Sequence, residues 1–214
     1  MITIVIPAYN EEKNIAGVLE KIPRKYKMKN VIVIDDGSID RTSEIAKKYC
    51  KVIKTKHFGK GHACKTGLKN AKSDFVVFID GDGQLNPKDI IKIEKLLKNN
   101  DVVVGQRNWN KIPFKRRISN SFARRAVRVI TGRKFADVLC GLRGLNKNKI
   151  DWSKIGDGYS FEVDTMLYAV KKNLKISVVD VDVNYDIGSR MPSYESLKLS
   201  LKLILLAFKS LFKK

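Results

Sequence analysis

The sequence has no hydrophobic run long enough to cross a bilayer, and it contains very little cysteine or histidine. A membrane span needs roughly 20 apolar residues, and the longest late run, residues 203–208, is far shorter. The 3 cysteines, Cys50, Cys64 and Cys140, are widely spaced, which argues against a disulfide framework or a cysteine metal site and indicates a reducing cytosol. The 2 histidines are too few for a histidine-based metal site. Because the chain opens directly into an apolar strand, we expect no signal peptide.

Acidic residues are also scarce relative to basic ones. The 214 residues include 43 Lys or Arg and 22 Asp or Glu, which gives a formal net charge of +21. Residues 101–149 alone hold 13 basic and 2 acidic residues. A patch of this kind implies an anionic partner, which could be nucleic acid, an anionic membrane or a phosphorylated substrate.

Apolar strands alternate with helical patterns over the first half of the chain. The predicted strands cover residues 2–6, 31–34, 51–55, 75–79 and 102–105. This alternation predicts an α/β fold with a mostly parallel sheet and helices on both faces. We expect Pro7 to end the first strand and Asn10 to cap the helix that follows it, with Glu11 and Glu12 in the first helical turn.

The pattern changes after residue 110. We predict a basic amphipathic helix over 115–131, a loop or short strand over 137–145, a helix over 161–172, an edge strand over 176–185 and an amphipathic helix over 194–214. The expected apolar face of the basic helix comprises Ile118, Phe122, Ala126, Val129 and Ile130. These features divide the chain into residues 1–110, 111–190 and 191–214.

Three strand ends carry acidic or polar residues. The first strand leads into Pro7–Glu12, the second into Asp35–Ser38, and the fourth into Asp80-Gly81-Asp82-Gly83-Gln84. Each segment alone could be a helix cap or an acidic turn. In a parallel sheet all three open on the same edge, where α/β proteins bind ligands. Clustered carboxylates repel one another unless a cation offsets them, so the cluster favours a site for Mg²⁺ or Mn²⁺ that carries a phosphate.

The ordered motifs P-A-Y-N-E-E, V-I-D-D-G-S-x-D, F-I-D-G-D-G-Q and V-G-Q-R resemble those of family-2 glycosyltransferases with the GT-A, Rossmann-like fold. Within that family the chain is most similar to dolichyl- or polyprenyl-phosphate sugar synthases, of which dolichyl-phosphate mannosyltransferase is the best-known type. The resemblance covers roughly residues 1–190 and is strong over 1–107. It implies a hexose transfer from a GDP- or UDP-linked sugar to dolichyl or polyprenyl phosphate, with inversion at the anomeric carbon.

The resemblance also implies residue roles. The residues implied to hold the nucleotide sugar are Pro7, Tyr9, Glu11, Ile34, Asp36 and Asp80. Asp80, Asp82 and Gln84 are implied as ligands of Mg²⁺ or Mn²⁺, and Asp82 and Arg107 as catalytic residues. Family members also carry a late R-x-x-G-x-S-K pattern. Residues 185–190 are one residue shorter, so Arg190 is the expected replacement for the lysine and the third implied catalytic residue, while the arginine of that pattern has no counterpart here.

The basic helix at 115–131 has three interpretations. It could be a core helix with a solvated basic face, a nucleic-acid contact, or a helix lying on an anionic membrane surface. No nucleic-acid motif accompanies it, and Arg opposite Ile, Phe and Val is typical of an interfacial helix. We therefore expect peripheral association with the cytoplasmic face of a membrane and no nucleic-acid partner. The C-terminal amphipathic helix has the same build but could instead pack on the domain or on a second subunit, and a separate membrane subunit is left open.

The acceptor class determines which groups the reaction requires. A sugar hydroxyl needs a general base, for which Asp137, Asp157, Glu162 and Asp164 are candidates that the sequence does not rank. A lipid phosphate is already ionised and needs positive charge instead. The basic stretch favours the phosphate acceptor. Transfer to a glycan hydroxyl is the alternative, and a non-enzymatic, basic anion-binding protein is a more remote one.

Overall fold

One mixed seven-stranded sheet organises the chain. The computed structural model describes residues 1–158 and 160–186, without the side chains of residues 115, 116 and 119. The strands are β1 (Ile2–Ala8), β2 (Val31–Asp35), β3 (Lys51–Lys54), β4 (Phe75–Phe78), β5 (Val102–Arg107), β6 (Arg143–Asn146) and β7 (Ile176–Val181). The helices are α1 (Ile15–Glu20), α2 (Thr42–Lys47), α3 (Lys60–Asn70), α4 (Ile90–Leu97), α5 (Phe114–Thr131) and α6 (Phe161–Lys171). The predicted helix at 194–214 and Arg190 lie outside the described residues.

The order of strands across the sheet is β3-β2-β1-β4-β6-β5-β7. All pairs are parallel except those of β6, which runs antiparallel between β4 and β5. The mostly parallel α/β fold is therefore confirmed. The prediction for 137–145 did not place a central strand there, because Arg143-Gly144-Leu145-Asn146 is short and lacks the β-branched residues that normally mark one.

The buried apolar residues of β1, β2, β4 and β5 form the main core, with α3 and α4 packed against it. The contact between α3 and β1 is very close, since a Cβ on Gly67 would lie 2.2 Å from Val5 Cγ1. The predicted edge strand is confirmed as β7, which lies at the edge beside β5. The predicted boundary at residue 110 does not coincide with a break in the sheet, since β6 and β7 complete it.

Two local predictions at the start of the chain are wrong. β1 continues through Pro7 to Ala8, since a proline in an extended strand keeps an allowed φ. The next helix begins at Ile15, with Asn14 as its N-cap, so Glu11 and Glu12 precede it. Asn10 instead adopts a left-handed backbone conformation with φ of 56°, which asparagine tolerates better than most residues.

The basic helix α5 packs on α6, but not through the whole predicted face. A second small core contains Ala123, Ala126 and Val127 of α5 together with Val163 of α6. Of the predicted apolar residues, Ala126 is buried, whereas Ile118 and Val129 are 59% and 50% exposed. Part of the predicted apolar face is therefore buried against α6, and the part that contains Ile118 and Val129 lies in solvent.

Candidate active site at the carboxyl ends of the strands

The three predicted strand ends lie side by side. β1 pairs in parallel with β2, where Ala8 is opposite Asp35, and with β4 on its other side. Beyond β4 the chain continues along β1, because Gly81 N donates to Pro7 O at 3.2 Å. The prediction that the acidic motifs meet at one edge of the sheet is therefore confirmed.

The first two motif loops are bonded directly to each other. Asn10 N donates to Ser38 Oγ at 2.9 Å, and Ile39 N donates back to Asn10 Oδ1 at 3.0 Å. Glu11 N donates to Thr42 Oγ1 at 2.7 Å. Backbone amides and short polar side chains thus hold the two loops together.

Asp36 holds the loop that leads into α3. Its carboxylate accepts hydrogen bonds from Phe58 N at 3.1 Å, Gly59 N at 2.8 Å and Thr55 Oγ1 at 3.2 Å. His57 Nδ1 lies 3.1 Å from the same carboxylate, whose side chain is 5% exposed. These contacts fix the loop that leads into α3. A direct contact of Asp36 with a nucleotide base stays a prediction.

The aromatic side chain of the first motif is exposed next to this loop. Tyr9 is 39% exposed and stacks on His57, with ring centroids 4.0 Å apart and an interplanar angle of 21°. Two other predicted nucleotide-contact residues are less accessible. Pro7 is buried within β1, and Ile34 has no exposed surface in β2, so its side chain contributes to the core.

Carboxylates cluster at the end of β4. The pKa of Asp82 is raised to about 6, mainly because the carboxylate is desolvated by burial and next because it lies near the charge of Asp80. The charge of Glu11 adds a smaller increase, and a hydrogen bond from the Gln84 amide lowers the pKa in part. That bond joins Gln84 N to Asp82 Oδ1 at 3.0 Å. Glu11 is 6% and Gln84 8% exposed. Asp82 therefore lies within the electrostatic reach of Asp80 and, more weakly, of Glu11 in the loop after β1. That Asp80, Asp82 and Gln84 bind a metal stays a prediction.

Lys60 lies within this cluster, a placement that the sequence did not reveal. Its Nζ is 2.5 Å from Asp80 Oδ1 and 2.6 Å from Glu162 Oε1. Burial alone would lower the pKa of Lys60, but the two carboxylates raise it well above its ordinary value. Lys60 is the first residue of α3, and its partner Glu162 is remote in sequence.

The donor set fits a hard divalent cation that also binds phosphate. Among the described residues no three His, Cys, Asp or Glu side chains are grouped so as to hold a metal alone. Asp80, Asp82 and Gln84 would supply two carboxylates and one amide oxygen as ligands. Water and phosphate oxygens would supply the other ligands of the cation. Mg²⁺ is usually bound in this way in enzymes that act on nucleotides.

Arg107, predicted to be catalytic, is engaged with another side chain. Its Nε and Nη2 donate to Asp137 at 2.6 and 2.9 Å, and both side chains are buried, at 12% and 1% exposed. Burial alone would lower the pKa of Arg107, but the hydrogen bonds and charge of Asp137 raise it. Arg107 therefore fixes the segment around Asp137, and a direct role in transfer stays a prediction.

A buried arginine, Arg143, links two segments that border the site. Arg143 of β6 has no exposed surface, and its Nη1 donates to Glu162 O and to Thr165 Oγ1, each at 2.7 Å. Its Nη2 donates to Cys140 O at 2.7 Å, just before Gly141. Arg143 thus joins the start of α6 to the loop that lies against Asp80. Nothing in the sequence distinguished it from the other basic residues of 101–149.

A cavity of about 1110 Å³ adjoins the metal-site candidates. It runs from Gln84 past Arg107 to Trp109 and Arg124. The Arg124 guanidinium lies over the Trp109 ring, 4.5 Å from its centroid. The basic residues that line the cavity are Lys13, Lys21, Lys88, Arg107, Lys111 and Arg124, and the acidic ones are Asp180 and Asp182. The cavity therefore has the charge and size to accept an anionic group beside the carboxylate cluster.

The chain is similar in sequence to known glycosyltransferases. Residues 3–157 match the model of Glycosyl transferase family 2. The UDP-N-acetylglucosamine–dolichyl-phosphate N-acetylglucosaminyltransferase of Methanococcus voltae is 30% identical, with 86% of each chain covered. A dolichyl-phosphate beta-glucosyltransferase of Trichomonas vaginalis is 28% identical, over 96% of this chain and 72% of its own.

Solved structures share the fold. Glucosyl-3-phosphoglycerate synthase from Mycobacterium tuberculosis, in complex with Mn²⁺, uridine diphosphate and glucosyl-3-phosphoglycerate, superposes with a TM-score of 0.79 at 21% identity. The match covers 98% of this chain and 79% of that one. Another structure of that synthase holds Mg²⁺ and uridine diphosphate. The family match, the GT-A-like sheet and the ordered motifs agree: the chain belongs to glycosyl transferase family 2 and is a hexosyltransferase similar to polyprenyl-phosphate sugar synthases.

Proposed function

We propose that the protein transfers a hexose from a nucleotide sugar to dolichyl or polyprenyl phosphate, with a divalent metal and with inversion. The observation that carries this proposal is a basic cavity lined by Gly83 and Gln84, the residues that directly follow Asp80 and Asp82 in the chain. The names of the relatives support the lipid phosphate, since two of them act on dolichyl phosphate. The solved synthase supports a UDP-linked donor and Mn²⁺ or Mg²⁺.

Asp80, Asp82 and Gln84 would hold the metal, and Glu11 would contribute further negative charge. Mg²⁺ or Mn²⁺ bound there would neutralise charge on the departing nucleoside diphosphate. Tyr9, exposed and stacked on His57, offers an aromatic face for the base. The Asp36-bonded loop fixes the position of His57 and therefore of this stack.

The engagement of the acidic residues favours an acceptor that is already ionised. Of the four carboxylates considered as a general base, Asp137 is bound by Arg107 and Glu162 by Lys60. Asp157 pairs with Lys65 at 2.7 Å, and Asp164 accepts from Gly156 N at 3.0 Å and from Ser160. A phosphate oxygen needs no such base to attack the anomeric carbon, whereas a glycan hydroxyl does. The lysines and arginines of the cavity would orient the phosphate.

A membrane-bound acceptor also suits the exposed side of α5. Phe114 is 75%, Ile118 59% and Val129 50% exposed, and Arg125 and Arg128 are exposed beside them. Such a stripe is typical of a helix that lies in an anionic membrane interface. Among the described residues no helix has the length and apolar content to cross a membrane. Peripheral association therefore belongs to the proposal, and the cytoplasmic face stays a prediction.

Thermal unfolding with nucleotide sugars tests the donor half of the proposal. Ligand at about 100 times its dissociation constant should add about 2.7 kcal/mol to the free energy of unfolding, which raises Tm by roughly 5–10 °C for a domain of this size. A panel of UDP- and GDP-linked hexoses, each with and without Mn²⁺, would identify the base. No shift with any of them would contradict the proposal.

A further inference from the structure

Lys60 and its two carboxylate partners form a chain of charges directly beside the metal-site candidates. The ammonium lies 2.5 Å from Asp80 Oδ1 and 2.6 Å from Glu162 Oε1. The side chains of Lys60, Asp80 and Glu162 are 20%, 26% and 6% exposed. The Lys60 ammonium is therefore paired with Asp80, one of the carboxylates that would bind the metal.

The backbone segments that carry Lys60 and Glu162 are both held by close contacts. Lys60 is the first residue of α3, and a Cβ on the next residue, Gly61, would lie 2.4 Å from Gly156 O. His62 N donates to Asp157 O at 2.8 Å, which fixes the start of α3 against that loop. The backbone of Glu162 is held at its carbonyl by Arg143. The ammonium is thus confined near Asp80 and is not a freely moving surface charge.

We propose that Lys60 is a positioning residue that competes with free divalent metal for Asp80 and so makes metal binding depend on the nucleotide diphosphate. The inference rests on the proposed function, since it concerns the same metal site. A divalent cation that enters alone is repelled by the ammonium and must displace it from Asp80. A diphosphate brings negative charge that attracts both cations, so metal and nucleotide bind together.

Glu162 moderates this competition. It shares the Lys60 ammonium with Asp80 and draws part of the positive charge away from the metal site. Without the Glu162 charge, Lys60 would pair with Asp80 alone and oppose the metal more strongly. Removal of Lys60 and removal of the Glu162 charge should therefore change the affinity for free metal in opposite directions, which loss of structure would not do.

The test is an electron paramagnetic resonance titration of Mn²⁺ into the protein, alone and with UDP or GDP. Lys60→Met should bind free Mn²⁺ on the order of tenfold more tightly than wild type, because a repulsive unit charge a few ångströms from the metal is gone. The gain in Mn²⁺ affinity caused by nucleotide should shrink by a similar factor. Glu162→Gln should bind free Mn²⁺ more weakly than wild type.

Lys65→Met is the matched control. Lys65 lies on the same helix, has a side chain that is 19% exposed, and pairs with Asp157 at 2.7 Å. Its loss removes the same charge and the same type of ion pair without touching Asp80, so the affinity for free Mn²⁺ should stay at the wild-type value. Circular dichroism and thermal unfolding would establish that each variant is folded.

Equal or weaker binding of free Mn²⁺ by Lys60→Met would overturn the inference. If that variant does not fold, Glu162→Gln decides, since binding as tight as that of wild type would overturn it too. Failure of the proposed function looks different. Wild-type protein that binds no Mn²⁺ even with UDP or GDP would contradict the metal site itself, before any variant is considered.

Discussion

Gly141 lies against the carboxylate of Asp80, and a Cβ added to Gly141 would come within 2.1 Å of Asp80 Oδ2. The closest approach is to a side chain and not to backbone, so the added methyl group would displace the carboxylate. Arg143 fixes this loop by its hydrogen bond to Cys140 O at 2.7 Å. The absence of a side chain at Gly141 therefore sets the position of a candidate metal ligand.

Gly141→Ala should damage the metal site more than the fold. We expect the affinity for Mn²⁺ in the presence of UDP or GDP, and metal-dependent turnover, to fall by at least about tenfold, which corresponds to roughly 1.4 kcal/mol. The free energy of unfolding should change by less than about 1 kcal/mol, since a movable side chain absorbs the clash. Mn²⁺ titration and chemical unfolding measure the two effects separately.

Gly144→Ala provides the control with the opposite pattern. A Cβ on Gly144 would lie 2.5 Å from both Ile93 Cγ2 and Leu97 Cδ1 in the core. Overpacking of this kind costs about 1–3 kcal/mol, while the metal site is untouched. Equal losses of Mn²⁺ affinity in Gly141→Ala and Gly144→Ala would contradict a specific role for Gly141.

Asp82→Asn should abolish metal-dependent turnover without loss of stability in the metal-free protein. Asp82 is half-buried, and its desolvation, followed by the charge of Asp80 and then that of Glu11, raises its pKa to about 6. Removal of one of several repelling carboxylates relieves that repulsion, so Tm in EDTA should equal or exceed that of wild type. With Mn²⁺ and UDP or GDP the order should reverse. Normal turnover by Asp82→Asn would refute the metal assignment.

A double-mutant cycle at Arg107 and Asp137 separates the contribution of this ion pair to stability from its contribution to turnover. Arg107→Met leaves the carboxylate of Asp137 buried, at 1% exposed, and without its bidentate partner. Loss of one partner of a buried pair typically costs about 3–5 kcal/mol. Addition of Asp137→Leu should restore most of that stability, as measured by denaturant unfolding.

Turnover of the double variant then shows whether Arg107 acts in catalysis. If the guanidinium only fixes the segment around Asp137, turnover should recover together with stability. If Arg107 also contacts phosphate, as the family resemblance implies, turnover should stay low in a stable protein. We expect the second result, and recovery of both properties would remove Arg107 from the catalytic residues.

Membrane association should depend on the exposed stripe of α5. Arg125→Gln/Arg128→Gln should weaken binding to anionic vesicles, since each basic residue near the surface contributes about 1 kcal/mol. Two such losses correspond to roughly a thirtyfold lower partition coefficient in a flotation assay. Lys47→Gln/Lys48→Gln, which removes two exposed charges from the end of α2, is the charge-matched control and should bind as wild type does. Equal binding by both double variants would exclude α5 as the contact.

The strand ends were predictable because each motif follows an apolar run, and parallel strands bring their carboxyl ends to one edge. This logic placed Glu11, Asp80 and Asp82 together. It missed Lys60 and Arg143, because both contact Glu162, which is remote in sequence: Lys60 pairs with its carboxylate and Arg143 donates to its carbonyl oxygen. The close approach of Gly141 to Asp80 also joins residues that are remote in sequence.

The helix patterns were less informative about which face is buried. Periodicity placed Ile118 and Val129 on one apolar face of α5 together with Ala126. The contact with α6 buries Ala123, Ala126 and Val127, whereas Ile118 and Val129 stay exposed. Small residues allow close approach of two helices, and the larger apolar side chains remain outside. A hydrophobic pattern cannot distinguish a face that packs on another helix from one that meets a lipid surface.

The most direct test of the proposed function is transfer of a radiolabelled hexose from its nucleotide to polyprenyl phosphate, with Mn²⁺ or EDTA, beside polyprenol and a free glycan as hydroxyl acceptors. We predict a lipid-linked product that forms only with the phosphate and the metal, and that is absent with Asp82→Asn. Transfer to a hydroxyl acceptor, or undiminished transfer to the phosphate in EDTA, would contradict it.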